Sequence, residues 1–232
     1  MWKAWKAAVL VGVLAAAGAA SVSDASACGF VEYRPVQPVR RVPPKPKLIA
    51  AVVPAVDRIS SAEQRLDDEQ PAAAGVEVVA AFPGIRTTEV GHSPLETRAL
   101  RILALAVVRG GGALAGVHGF SGPTDRGANL EWAVSTLRMV NAVRTNDPVA
   151  MADLAEALST RSKYETESLA ILQDLADRDL VGSAHAYAAL ARLHAAKGEE
   201  SAARAAIARC SGMTRQPALV CQPPDTRLAT RD

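Results

Sequence analysis

Residues 183–210 read SAHAYAALARLHAAKGEESAARAAIARC, and the spacing within this stretch decides the fold. Tyr187, Leu190, Ala191 and His194 recur at intervals of three and four, which puts them on one face of a helix. Gly198 interrupts the pattern, and Ala203, Ile207 and Cys210 resume it on a second short helix. Ser183, just after Gly182, stands where a helix N-cap belongs. Small residues at Ala191 and Ala203 let the two helices approach closely, and the larger ones fill the groove against a neighbouring pair.

Moving toward the N-terminus, the same start signals recur. Ser60-Ser61-Ala62-Glu63 and Ser93-Pro94-Leu95-Glu96 have the S-x-x-E form of a capping box, and Asp147-Pro148 places proline at a first helical position. Starts at 60, 93, 147 and 183 are 33, 54 and 36 residues apart, and two of these intervals have the length of a helix-pair repeat. The long interval contains an insertion, 110–127, with glycine at 110, 111, 112, 116, 119, 122 and 127. Without it, each interval holds two helices: Leu66 and Val79 around a turn at Gln70, then Leu100, Leu103 and Val107 with Trp132, Leu137 and Val140, then Leu154 and Ala155 with Leu169, Leu172 and Leu175. The expectation is an all-α chain of stacked antiparallel hairpins.

In the last unit Leu190-Ala191, His194, Gly198, Ala203 and Ile207 fall at the positions that define a tetratricopeptide repeat, and the chain resembles that family over roughly residues 60–210. The resemblance implies a short right-handed solenoid whose concave surface binds peptides or proteins, so a scaffold and no reaction.

Composition agrees with helices. Of 232 residues 47 are alanine and nine are aromatic, which argues against a sandwich or barrel. A net charge of +2 gives no general reason to expect nucleic-acid binding.

The N-terminal segment reads as an address. Lys3 and Lys6 precede an apolar run, Ala7 to Ala20, and Ala25-Ser26-Ala27 forms a small-residue cleavage site, the layout of a secretory signal over residues 1–27. At 14 residues the run is short for a bilayer span, which needs about 20. Cys28 followed by Gly29 resembles the lipobox of bacterial lipoproteins, although Ala25 stands where leucine is favoured and Asp24 interrupts the apolar run. Two outcomes stay open: lipidation of Cys28, or ordinary cleavage after Ala27. If Cys28 is acylated, Cys210 and Cys221 remain as a disulfide pair in an oxidising compartment. Residues 28–57 form a basic linker, expected to be disordered. Its segment 34–47 carries five prolines and a charge of +5, against −3 for residues 48–232. Arg40, Arg41, Lys45 and Lys47 there could touch an anionic envelope surface. The helical domain is expected over 58–211, with an irregular tail over 212–232.

No catalytic set, cofactor motif or metal-ligand spacing emerges. The glycine-rich insertion lacks the strand and the Lys-Ser/Thr of a phosphate loop, and Gly119-Phe120-Ser121-Gly122-Pro123 has proline where a nucleophile elbow needs glycine. None of His92, His118, His185 and His194 stands four residues from another. The insertion is therefore expected to be a mobile binding element or a spacer. Trp132, Arg138, Asn141 and Arg144, all on one helix, are the candidate partner-binding residues, with Trp132 an anchor if exposed. The leading expectation is an exported, non-enzymatic binding scaffold of the periplasm or outer membrane with an unknown protein partner. Two rivals are an enzyme or ligand-binding protein using His118, Asp125 and Arg126 of the insertion, and a module for self-association through a terminal repeat.

Overall fold

A computed structural model describes residues 54–222. The secretory signal, Cys28, the linker bearing Arg40, Arg41, Lys45 and Lys47, and residues 223–232 lie outside the described residues.

The described chain is helical, with no strand among the described residues. It runs α1 (Ala55–Asp67), α2 (Pro71–Ala81), α3 (Pro94–Arg109), α4 (Arg126–Val143), α5 (Pro148–Leu158), α6 (Glu165–Asp177), α7 (Ala184–Ala196), α8 (Glu200–Met213) and a single turn, α9 (Pro217–Val220). The helices pack as pairs, α1 with α2, α3 with α4, α5 with α6 and α7 with α8. The pairs are stacked, and the first helices α1, α3, α5 and α7 touch one another in a row.

Local chemistry explains the boundaries. The helix predicted to start at Ser60 begins five residues earlier, after Pro54, and its buried stripe of Ile59, Ala62 and Leu66 starts ahead of the serine. Ser60 is exposed in mid-helix, and Glu63 is drawn into an ion pair with Arg98 of α3 and away from capping. Ser93 and Ser183 do precede α3 and α7, yet neither hydroxyl makes a capping bond. Among the described residues only Asp147 caps by its side chain, accepting from the Val149 amide at 2.9 Å.

Four helices end in the same way. After α1, α3, α6 and α7 a residue in the left-handed region (Glu69, Gly111, Asp179 or Gly198) lets two amides turn back onto the last helical carbonyls. In the last of these, the Gly198 amide donates to Ala195 and the Glu199 amide to His194, both at 2.9 Å. Glu69 and Asp179 hold this conformation despite a side chain, at a cost of about 1 kcal/mol each.

Two apolar clusters form the core. One joins α1 to α4 with Leu154, Ala157 and Leu158 of α5; the other joins α5 to α9. The glycine-rich insertion belongs to the first, contrary to the expectation of a mobile element or spacer. Leu114, Val117 and Phe120 are buried in that cluster. Two glycines make this fit. A Cβ on Gly112 would sit 2.5 Å from the Arg126 carbonyl oxygen, and one on Gly75 of α2 would sit 2.8 Å from Leu114.

The C-terminal boundary also differs from expectation, since α8 continues to Met213 and residues 214–222 are not simply an irregular tail. Cys210 and Cys221 are joined by a disulfide with Cα atoms 5.9 Å apart. Their burial, with Val220 packed alongside, holds α9 against α7 and α8.

Candidate functional site

The four predicted partner-binding residues do not converge. Trp132 faces the core side of α4, its ring 5.1 Å from Phe120 and its indole N–H donating to the Arg86 carbonyl at 3.2 Å. The Arg86 guanidinium lies 4.5 Å over the Phe120 ring and donates to Gly119 O and to Asn129 Oδ1. Buried Asn129 in turn donates to Gly112 O at 2.9 Å. Trp132 is thus part of the clamp that fastens the insertion. Arg138 is exposed, paired with Glu167 of α6 at 2.6 Å and stacked on Tyr164. The Asn141 Oδ1 is buried without a hydrogen-bond partner among the described residues, as is Glu96 Oε2. Arg144 lines a cleft between α1, α3 and α4.

His118, Asp125 and Arg126 are exposed and line none of the three clefts described here. Ser121 uses its hydroxyl to donate to Val117 O at 2.7 Å, a local turn contact. His194 is buried against the last turn, with Nδ1 facing Glu199. No cluster of three or more metal-ligating side chains occurs among the described residues, and none of their helices is long and apolar enough to cross a membrane.

The polar surface that the structure does assemble lies along the row of first helices. From Ala99 onward α3 is apolar except for Arg101 and Arg109; in α5, Asp153 and Glu156 interrupt an apolar run one turn apart. The packing of α3 on α5 joins them: the Arg101 Nε donates to Asp153, and Arg109 grips Glu156 through two N–H groups at 2.9 and 3.2 Å. Both acids are nearly inaccessible, 3% exposed in each case, so the pairs are desolvated and each member needs the other. A third contact spans 116 residues, where His185 Nε2 of α7 meets both carboxylate oxygens of Glu69 in the α1–α2 turn at 2.9 and 3.0 Å.

This environment pushes the two acids of α5 apart. Burial raises the Asp153 carboxyl against the opposing charge of Arg101. Burial would raise Glu156 as well, but the charge and hydrogen bonds of Arg109 outweigh it and hold Glu156 below the usual carboxylate range. Burial also lowers His185, more than the nearby Glu156 and Glu69 raise it, which favours the neutral ring.

Three clefts open on this row. One of about 480 Å³ is floored by Glu69, Arg101, Arg109, Asp153 and His185 and rimmed by exposed Val149 and Met213. A second, about 370 Å³, shares Glu69, Arg109 and His185 with it and adds Glu156 and Arg192. A third, about 530 Å³, shares Arg101 with the first and is walled by Glu63, Arg98, Val140, Val143 and Arg144. The clefts adjoin at these shared residues, and together their linings make up a charged furrow. The C-terminal segment borders it, with Arg215 in the first cleft and Leu219 in the second.

Sequence reasoning weighted α4 and missed these first-helix residues. The available signal was the charges within the apolar stretch of α3 after Ala99 and within apolar α5. Comparisons with protein families, with curated proteins and with solved structures return no match to this chain.

Proposed function

We propose that this chain is a non-enzymatic scaffold of the bacterial cell envelope that binds a protein partner in the charged furrow along α1, α3, α5 and α7. One observation carries the reading: four first helices in a row present connected clefts with fixed charges, a surface suited to an extended segment of another chain. Guanidinium groups held by buried carboxylates meet such a segment without first losing side-chain freedom. The stacked pairs are read as tetratricopeptide-like and coiled right-handed, which would turn the first helices toward the inside of the curve. The secretory pattern of residues 1–27 supports export to the periplasm, and Cys28 supports attachment to the outer membrane through lipid.

Crosslinking and affinity capture from the native envelope test the binding role. The expected result is a defined crosslinked protein recovered by the wild-type chain and lost with Arg101→Glu combined with Arg144→Glu. Recovery of no protein, or equal recovery by a folded variant, sinks the scaffold. Intact-mass measurement decides the address separately: a mass of unmodified residues 28–232 ends the lipid attachment, and an uncleaved chain ends the export cleavage.

A further inference from the structure

We infer that the third cleft, between α1, α3 and α4, is a carboxylate-recognition site for an acidic, extended peptide segment, an inference that rests on the furrow being a partner site. Arg98, Arg101 and Arg144 line it, and Glu63 is the one acid that does. Each arginine is held by a carboxylate through part of its guanidinium and keeps the rest. Arg98 engages Glu63 through Nε and Nη2, leaving Nη1 without a partner among the described residues. Arg101 spends Nε on Asp153, a residue of the adjoining cleft, leaving both terminal nitrogens. Arg144 pairs with Asp147 through Nη2 at 2.6 Å.

The cleft is thus a set of oriented, partly used N–H donors; three arginines and Glu63 line it, and the carboxylates that hold Arg101 and Arg144, Asp153 and Asp147, lie outside its lining. A carboxylate can accept from a guanidinium in the bidentate geometry that these free edges offer. The side chains remain accessible, from 20% for Arg101 to 44% for Arg144, so an incoming carboxylate needs no rearrangement of the fold. The cleft is also lined by Pro94, on the α3 face that carries Arg98 and Arg101, by buried Val140 and by Val143, the last 53% exposed. That wall suits the aliphatic residue next to an acidic one in an extended strand, where alternate side chains point to opposite sides. At about 530 Å³ the cleft accommodates a few side chains and no folded element.

The test uses the full chain and a fluorescein-labelled hexapeptide alternating glutamate and leucine, with a glutamine and leucine peptide as its neutral counterpart. Anisotropy should show the glutamate peptide binding about tenfold tighter than the neutral one, with the difference shrinking as salt is raised. Arg144→Gln should weaken the glutamate peptide about fivefold or more, and adding Arg98→Gln should remove the preference. Arg144 is an exposed residue whose loss leaves the core untouched, and Arg178→Gln, just after α6, serves as the control that keeps full binding. Millimolar inorganic phosphate should compete only weakly, because it offers nothing to the valine wall. Equal affinity for the two peptides, no binding of either, full displacement by phosphate, or an unaffected Arg144→Gln chain overturns the inference. Failure of the broader reading looks different: an envelope partner still captured by the double glutamine variant keeps the scaffold and ends this site. Tight glutamate-peptide binding with no crosslinked protein keeps this site and ends the scaffold.

Discussion

The last helix pair and the second meet the same packing requirement by opposite means. Between α7 and α8 the contact is built from small residues, with Ala186, Ala189, Ala191, Ala203 and Ala206 all buried. Helices lined in this way can approach closely, but each alanine contributes little apolar surface, and α8 buries only Ala203, Ala206 and Cys210. The disulfide to Cys221 adds the restraint that this thin contact lacks. The α3–α4 pair instead carries Leu100, Ile102, Leu103, Leu105 and Leu137, and the insertion between its helices folds back to supply Leu114, Val117 and Phe120. Close approach by alanine leaves no room for such a loop; larger side chains and a glycine-rich chain make one part of the core.

Phe120→Ala empties the centre of the insertion and strands the Arg86 guanidinium, so a loss of about 3–5 kcal/mol is expected in chemical denaturation. A loss below about 1 kcal/mol would show that the insertion is a spacer after all. The next effect belongs to the last pair: Cys210→Ser with Cys221→Ser should cost up to about 3 kcal/mol, with exchange protection falling in α8 and not in α3. Equal loss of protection in both helices would mean that the two clusters unfold as one. The smallest effect tests the contact that ties the first turn to the last pair. Burial lowers His185, so protonation favours the unfolded chain; stability is full above the ordinary histidine value and declines as pH falls through it toward the lower folded value. His185→Gln should flatten that part of the pH profile, and an unchanged slope would remove His185 from the account.

Much of the fold was legible because helix periodicity is local. Leu190, Ala191 and His194 announced their helix by spacing alone, and Gly198 announced the turn, which it forms with φ of +76°. The start at Ser60 was misplaced because a serine and a glutamate three apart look the same whether they cap a helix or face outward from its middle. The insertion misled for a related reason. Glycine content reads as freedom, while the burial of Phe120 depends on Arg86 and Asn129, more than thirty residues apart in sequence from one another.

The charged furrow was the least legible part. Arg101 and Arg109 are visible as exceptions in an apolar helix, but nothing local says that Asp153 and Glu156 lie opposite them. By itself the sequence determined that the chain folds as paired helices, where the pairs begin and end to within a few residues, and which residues face inward, because these follow from the angular period of a helix and from turn chemistry. Tertiary structure decided which first helices touch, that the glycine-rich segment is core, and that charges from α1, α3, α5 and α7 share connected clefts. Those properties rest on contacts between distant segments, whose geometry depends on how side-chain volumes fill the space between helices.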